Sequence, residues 1–377
     1  MTRGVQSARA LGEKNVVIIV DAHEDIAYNA VCLGRDYRDH TLVKRRVLAG
    51  SERLAQEGIP TTGLPDALIG RVAIVFATIF VEPPVSFLGV KPSEACPPYE
   101  TPQQAYKFAL KQLDYYTRLA DNHSRVRLIQ RHSDLEAVLA TWADDQPFEK
   151  HVQGMVILME NGDPILEPRQ FYEWYERGVR IVGPAWSGTR YCGGTGAPGG
   201  LTTLGRELLE IMASLNAVLD LSHMAEEAFL QAVDSYQGAS IIASHSNPRK
   251  FRNSDRHLSD DMIRRLAERD GVIGIVPYNR FLSEEWRPGD PKSDVPAWRV
   301  IDAIDHVCQL TGSAAHVGIG TDFDGGFGSG SIPDGLDSIS DLISLADLLA
   351  ARGYSPPDIN AIMGGNMLRK LRAALPL

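Results

Sequence analysis

The chain carries little that would tie it to thiol, nucleotide, nucleic-acid or membrane chemistry. Among 377 residues there are four cysteines, at positions 32, 96, 192 and 308, and none forms a CxxC pair. A thiolate zinc site and a disulfide framework are therefore not indicated, and buried free thiols are expected. No GxGxxG or GxxxxGK[ST] loop directly follows a strand-like run, since the GxGxxG match GTGAPG at 194–199 begins eleven residues after Gly183, and the usual signal for a nucleotide fold is missing. Basic residues are in deficit, 38 Lys and Arg against 48 Asp and Glu, a formal net charge of −10. Such a balance disfavours a phosphate backbone, so no nucleic-acid partner is expected. The longest apolar runs, VVIIV at 16–20 and VAIVFATIFV at 72–81, are too short to span a bilayer and suit buried strands. Neither MTRGVQSARALGEKN at the start nor LRKLRAALPL at the end has the apolar stretch of a secretory signal or an anchor. The expectation is a cytoplasmic protein with no membrane partner.

What is present is a repeating alternation of short apolar runs with longer amphipathic segments, the pattern of βα units around a parallel sheet. Eight runs read as strands: Val16–Asp21, Val72–Phe80, Gly154–Met159, Val179–Gly183, Ala217–Leu221, Ser240–Ala243, Val272–Val276 and His316–Gly320. Their nearly continuous apolar character predicts cover on both faces. Helices are predicted over Gln104–Leu119, Arg169–Arg177, Thr203–Leu215, Ala225–Ser235, Asp260–Arg269 and Ala297–Leu310 from apolar residues at three- and four-residue spacing. The segment LSDDMIRRLAERDG adds a Ser259 cap, acids in the first turn, bases later and a terminal glycine. Eight strands with helical returns favour a (β/α)8 TIM barrel, α/β in class. It would occupy residues 15–377 as one domain, after an N-terminal extension over 1–14. Three loop insertions above the barrel are expected: proline-rich Phe80–Gln104, Leu282–Pro296, and Trp186–Gly200, glycine-rich enough to be mobile.

The chemistry concentrates at strand ends. His23-Glu24-Asp25 follows the first apolar run, and residues two apart on an extended chain point to one side, so His23 and Asp25 can share a metal. Further polar residues stand at the matching ends of other runs: Glu160 after GMVILM, His223 after AVLDLS, His245 after SIIAS and Asp322 after HVGIGT. Barrel active sites gather on that face. Imidazole and carboxylate donors without thiolate suit zinc or another divalent metal in an open catalytic site. Five ligands exceed the needs of one ion, and Glu160 could give one oxygen to each of two ions about 3.5–4 Å apart, with a bridging hydroxide as nucleophile.

As a set, the segments VDAHEDI, ILMENGDP, LDLSHMAEE, ASHSNPRKFRNSDRHLSDDMIRRLAERDGVIGI, HVGIGTDFDGG and GGNMLRKL resemble the membrane (renal) dipeptidases of the amidohydrolase superfamily, over nearly the whole chain. That resemblance implies a (β/α)8 barrel with two zinc ions and, often, a homodimer. It assigns His23 and Asp25 to one metal, His223 and His245 to the other, and Glu160 to both. Asp322 would be the acid/base that moves a proton from the attacking oxygen to the leaving amine. Arg256 would clamp the substrate's C-terminal carboxylate.

One position departs from the family. Its dipeptidases commonly carry a histidine at the end of the fourth strand that polarises the scissile carbonyl, whereas this chain has Trp186. An indole N–H donates one hydrogen bond but cannot carry imidazolium charge. Arg190 and Tyr191, in the same loop, are candidates to replace that function, and Tyr278, in VPYNRF, is a candidate pocket residue. Asp324 reads as a support for a ligating histidine or as a turn residue before Gly325-Gly326, with the first favoured, while His257, His306 and His316 read as structural. The leading expectation is hydrolysis of a dipeptide-like substrate. The alternatives are the same site acting on N-acyl amino acids, another small amide or a lactone, and a catalytically silent ligand-binding barrel.

Overall fold

The computed structural model describes residues 17–84 and 95–377. The N-terminal extension over 1–14, Val16 and the middle of the proline-rich loop lie outside the described residues. In chain order the strands are β1 (Ile19–Glu24), β2 (Val72–Phe80), β3 (Val126–Leu128), β4 (Gln153–Glu160), β5 (Val179–Gly183), β6 (Cys192–Gly194), β7 (Ala197–Leu201), β8 (Val218–Asp220), β9 (Ile241–Ala243), β10 (Val272–Ile275) and β11 (Val317–Ile319). Eight of these form the barrel in the order β2-β1-β11-β10-β9-β8-β5-β4, all parallel, and β4 pairs back onto β2 from Ile74–Gly154 to Phe80–Glu160 to close it. Closure gives each of the eight strands a partner on both sides. The (β/α)8 barrel is therefore the fold.

Each of the eight expected runs overlaps a barrel strand, and β2 and β5 keep the expected bounds. Continuous burial along β1, β4 and β10 matches strands covered by helices outside and side chains inside. Helices follow the amphipathic segments closely. Asp260–Glu268 starts at Ser259, whose side chain accepts from the Met262 N–H, and buries Met262, Ile263 and Leu266. The left-handed turn that follows is taken at Asp270, φ 54°, one residue ahead of the expected glycine.

Two β elements were not expected. β3 pairs with Gln153–Met155 of β4, while β5 pairs with the Ile157–Glu160 end of the same strand, so β3 fills the edge that β5 leaves open at the bottom of the barrel. β6 and β7 form an antiparallel hairpin from the glycine-rich segment, in place of the mobile loop. Gly193 permits it, since a Cβ there would lie 2.4 Å from the Gly199 carbonyl oxygen.

The free-thiol expectation fails for two of the four cysteines. Cys32 ends the helix Ile26–Cys32, and the chain at 95–99 folds back beside it as the Tyr99 N–H bonds the Glu82 carbonyl at 3.0 Å. The two Cα atoms of Cys32 and Cys96 come within 5.3 Å and the residues form a disulfide across 64 positions. Nothing local in the sequence marks that approach. Cys192 and Cys308 are buried free thiols.

Candidate active site

The polar residues of the C-terminal barrel rim converge because each lies at or just beyond the end of an apolar strand. His23 is within β1, and Asp25 is the first residue past it, at the N-cap position of the helix Ile26–Cys32 but with no capping bond from its side chain. Glu160 closes β4, and the other three stand two or three residues past β8, β9 and β11. His223 and Asp322 sit in the left-handed region, at φ 66° and 56°. Non-glycine residues there cost of order 1–2 kcal/mol and cluster at functional sites.

The carboxylate of Glu160 lies at the centre. Its Oε1 is 3.1 Å from His245 Nε2 and 3.3 Å from His223 Nε2, and its Oε2 is 3.6 Å from His23 Nε2. The His223 and His245 Nε2 atoms are 3.1 Å apart, and the His23 and His245 rings stack at 3.6 Å. His23, Glu160 and His245 each offer a ligand atom within one 4.8 Å cluster, and His23, Asp25 and Asp322 form a second.

The back of each imidazole shows which nitrogen is free. Ser244 Oγ is 2.8 Å from His245 Nδ1 and 3.4 Å from His23 Nδ1, and donates to Asp220 Oδ2 at 2.6 Å. A hydroxyl that gives its proton to Asp220 can only accept from those two rings, which places hydrogen on Nδ1 and a lone pair on Nε2. Thr195 Oγ1 holds His223 Nδ1 at 3.1 Å. Three buried imidazoles thus turn their Nε2 atoms to one space, and among the described residues His23 Nε2 and Asp25 Oδ1 are buried with no hydrogen-bond partner. Imidazole nitrogens and carboxylate oxygens converging at these distances are the donor set of a divalent cation.

The electrostatics agree. Although burial pulls it down, His23 is lifted to about 10 by Glu160, Asp322 and Asp25. Asp25 is raised to about 7 by burial and by the Glu160 charge. Burial, with Asp25 and Glu160, pushes Asp322 well above the ordinary carboxyl range against the pull of His23 and Arg256. His223 falls to about 4 through burial and the nearby Arg256 guanidinium. Without a cation the crowded carboxylates draw protons onto this cluster, and a divalent ion bound there would take the place of those protons.

A cleft enclosing about 730 Å³, part of it open to solvent, leads to this cluster. Arg256, Trp186, Tyr278 and Asp322 all line it, together with Phe80 and Phe281. Arg256 is 9 % exposed, and its guanidinium donates to the His245 carbonyl at 2.7 Å and to Ser246 Oγ at 3.3 Å and lies 5.4 Å from the Phe281 ring centre. Among the described residues no carboxylate lies within ion-pair distance of it. Trp186 stacks on His223 at 5.5 Å and meets Phe80 at 5.6 Å, so it forms a wall of the cleft.

Three expectations are corrected. Arg190 and Tyr191 do not line the cleft. The Arg190 guanidinium is turned onto the carbonyls of Asp163, Ile165 and Leu166, and the fully buried Tyr191 hydroxyl donates to Ile165 O. Both bind the loop after β4, since three carbonyls there need donors. Asp324 supports no ligating histidine. Its carboxylate accepts from the backbone and hydroxyl groups of Thr61 and Thr62 at 2.7–3.2 Å and so ties the 61–62 turn to the rim. Sequence patterns gave no pointer to Asp220, Ser244 and Thr195, although Ser244 directly precedes His245 and Asp220 lies three residues before His223.

The family profile described as membrane dipeptidase (peptidase family M19) matches residues 5–375. The chain belongs to the membrane dipeptidase family. It is 30% identical over 273 residues to an uncharacterised protein in the pqqA 5' region of Klebsiella pneumoniae, covering 70% of this chain and 92% of that protein. An uncharacterised dipeptidase of Schizosaccharomyces pombe is 35% identical over 170 residues, 45% of this chain and 39% of its own length. A solved metallopeptidase of Rhodobacter sphaeroides, liganded with a phosphinate mimic of the dipeptide L-Ala-D-Ala, superposes with a TM-score of 0.75 at 23% identity, covering 95% of this chain and 99% of that one. Membership of the membrane dipeptidase family makes this chain a metal-dependent dipeptidase by class.

Proposed function

We propose that the protein hydrolyses the amide bond of dipeptides with a free C-terminal carboxylate, using two divalent ions held by His23, Asp25, Glu160, His223 and His245. The observation that carries this reading is the convergence of three Nε2 atoms, with their Nδ1 atoms held from behind, on the two oxygens of Glu160. Nitrogen and oxygen donors in an open, buried site favour zinc. Ions bound there supply Lewis acidity and lower the pKa of water.

The side chains around them do the rest. Asp322, in reach of the same cluster and with its carboxyl pushed above the ordinary range by burial, takes the proton of the attacking water and returns it to the leaving amine. Arg256, buried and without a carboxylate partner, receives the substrate carboxylate, which places the scissile bond over the Glu160 level. Trp186 packs beside the bond and excludes water but brings no charge to the developing oxyanion. A second reading, hydrolysis of N-acyl amino acids, draws on that apolar wall of Trp186 and Phe80.

The test is hydrolysis of alanyl-alanine stereoisomers, their C-terminal amides and N-acetylalanine by zinc-loaded wild type and Asp322→Asn. Expected is cleavage of free dipeptides, weak cleavage of the amides, and a kcat loss of about 10²–10⁴ in the variant with metal content retained. Equal turnover of the amides removes the role of Arg256, and preferred cleavage of N-acetylalanine selects the second reading.

A further inference from the structure

The mechanism leaves one acid of the cleft unused. Glu82 stands two residues past the end of β2, lines the cleft, and is 8 % exposed. The Tyr28 hydroxyl donates to its Oε2 at 3.1 Å. Among the described residues no Lys, Arg or His comes within ion-pair distance of it. A carboxylate taken out of water without a cation is costly and is normally paired. Arg256, at another part of the cleft, is the complementary case, a buried guanidinium without a carboxylate. Such a cleft is matched by a ligand that carries both signs.

Position decides which cation Glu82 can meet. Phe80 is the register partner of Glu160, so it marks the level of the metal cluster. Two further residues carry Glu82 up to about 7 Å outward from that level. The α-amine of a substrate is one carbon from the scissile carbonyl and must stay at the cluster, beside Asp25 and Asp322. Only a longer group on the amino-terminal residue reaches outward to Glu82. The path between is aromatic: Trp186 stacks on His223, Phe80 meets Trp186 at 5.6 Å, and Tyr28 meets Phe80 edge-on at 5.4 Å. Aromatic walls accept the methylenes of a lysine or arginine stem and favour a cation near their faces.

Building on the dipeptidase reading, we infer that Glu82, supported by Tyr28, selects substrates whose amino-terminal residue carries a cationic side chain. The carboxylate receives that charge at the outer end of the cleft while Arg256 holds the C-terminal carboxylate.

The test compares lysyl-alanine, norleucyl-alanine, which keeps the stem and lacks the charge, and glutamyl-alanine, with wild type, Glu82→Gln and Glu82→Lys. Expected for wild type is a kcat/KM at least tenfold higher for lysyl-alanine than for norleucyl-alanine, carried mainly by KM. In Glu82→Gln that ratio collapses to near one, and in Glu82→Lys the preference moves to glutamyl-alanine. A ratio near one in wild type, or a ratio that survives Glu82→Gln, overturns the inference. So does an equal loss for both substrates, which would place Glu82 on the α-amine or on the fold. Binding of the same peptides to zinc-loaded Asp322→Asn, with and without Glu82→Gln, is measured by calorimetry. If wild type cleaves no dipeptide, the proposed function fails, and Glu82 is judged by this binding alone. Tighter binding of lysyl-alanine that depends on Glu82 supports the inference, and equal binding or none overturns it.

Discussion

Replacing Ser244 with alanine tests the least conspicuous part of the site, the hydroxyl that sets two imidazoles at once. Ser244 Oγ donates to Asp220 Oδ2 at 2.6 Å, and His245 Nδ1 and His23 Nδ1 stand 2.8 Å and 3.4 Å from it. Ser244→Ala removes a hydrogen bond to a buried carboxylate, worth about 1.5–3 kcal/mol. It also leaves the Nδ1–H groups of His245 and His23 without an acceptor. Both rings can then turn, or exchange tautomers and present Nε2–H to the cluster. Loss of such a support lowers metal affinity about 10–100-fold, or about 1.4–2.8 kcal/mol. Zinc affinity is measured by competition with a chromophoric chelator, and thermal unfolding of the metal-free protein reports the stability loss. Thr195→Val, which removes the partner of His223 alone, is expected at the low end of the same range. Zinc affinity unchanged in Ser244→Ala would refute the assignment of Nε2 as the metal-facing nitrogen by this route.

Gly325 admits no side chain beside Asp322, the proposed acid/base. A Cβ there would lie 1.9 Å from Asp322 Oδ1, so Gly325→Ala is expected to displace that carboxylate and lower kcat about tenfold or more, with zinc content unchanged; retained kcat argues against Asp322 as the proton carrier. His257 is fully buried, with no hydrogen-bond partner on either ring nitrogen among the described residues, and burial, then Arg256, Arg252 and Arg249, pulls its pKa well below the ordinary value. The folded protein therefore binds fewer protons than the unfolded chain. His257 leaves stability intact above an unfolded pKa of about 6.5 and lowers it below that by up to about 1.4 kcal/mol per pH unit. Urea unfolding across this range should show a shallower acid slope in His257→Phe, and identical slopes would refute the account. The Cys32–Cys96 bond closes a 64-residue separation, worth about 4 kcal/mol in the chain-entropy description. Thiol titration of the denatured, unreduced protein should find two free thiols, and four would refute the pairing.

Direction along the chain makes the candidate metal cluster legible in the sequence. An apolar run sized for a strand, with a histidine or carboxylate just past its end, fixes both the element and the rim on which the polar group emerges. His23, Asp25, Glu160, His223, His245 and Asp322 each follow such a run, and a parallel barrel brings all such ends to one face. The same logic puts Arg256, Trp186 and Tyr278 near the cleft, which they line.

What stays hidden is the direction of side chains on irregular backbone. Arg190 and Tyr191 share a loop with Trp186, yet unsatisfied carbonyls after β4 draw both away from the cleft. Asp324 faces Thr61 and Thr62 because partners 262 and 263 positions away complete its carboxylate. Glu82 gives no signal, since its meaning depends on Tyr28, Phe80 and Trp186 arriving from three elements. The barrel, the chemistry of its rim and the residues that crowd Glu160 are encoded locally, because they follow from strand length and from the polarity at strand ends. The disulfide, the Ser244 support and the choice of which rim residues face substrate belong to the tertiary structure, because each rests on hydrogen bonds or packing between segments whose approach no local pattern encodes.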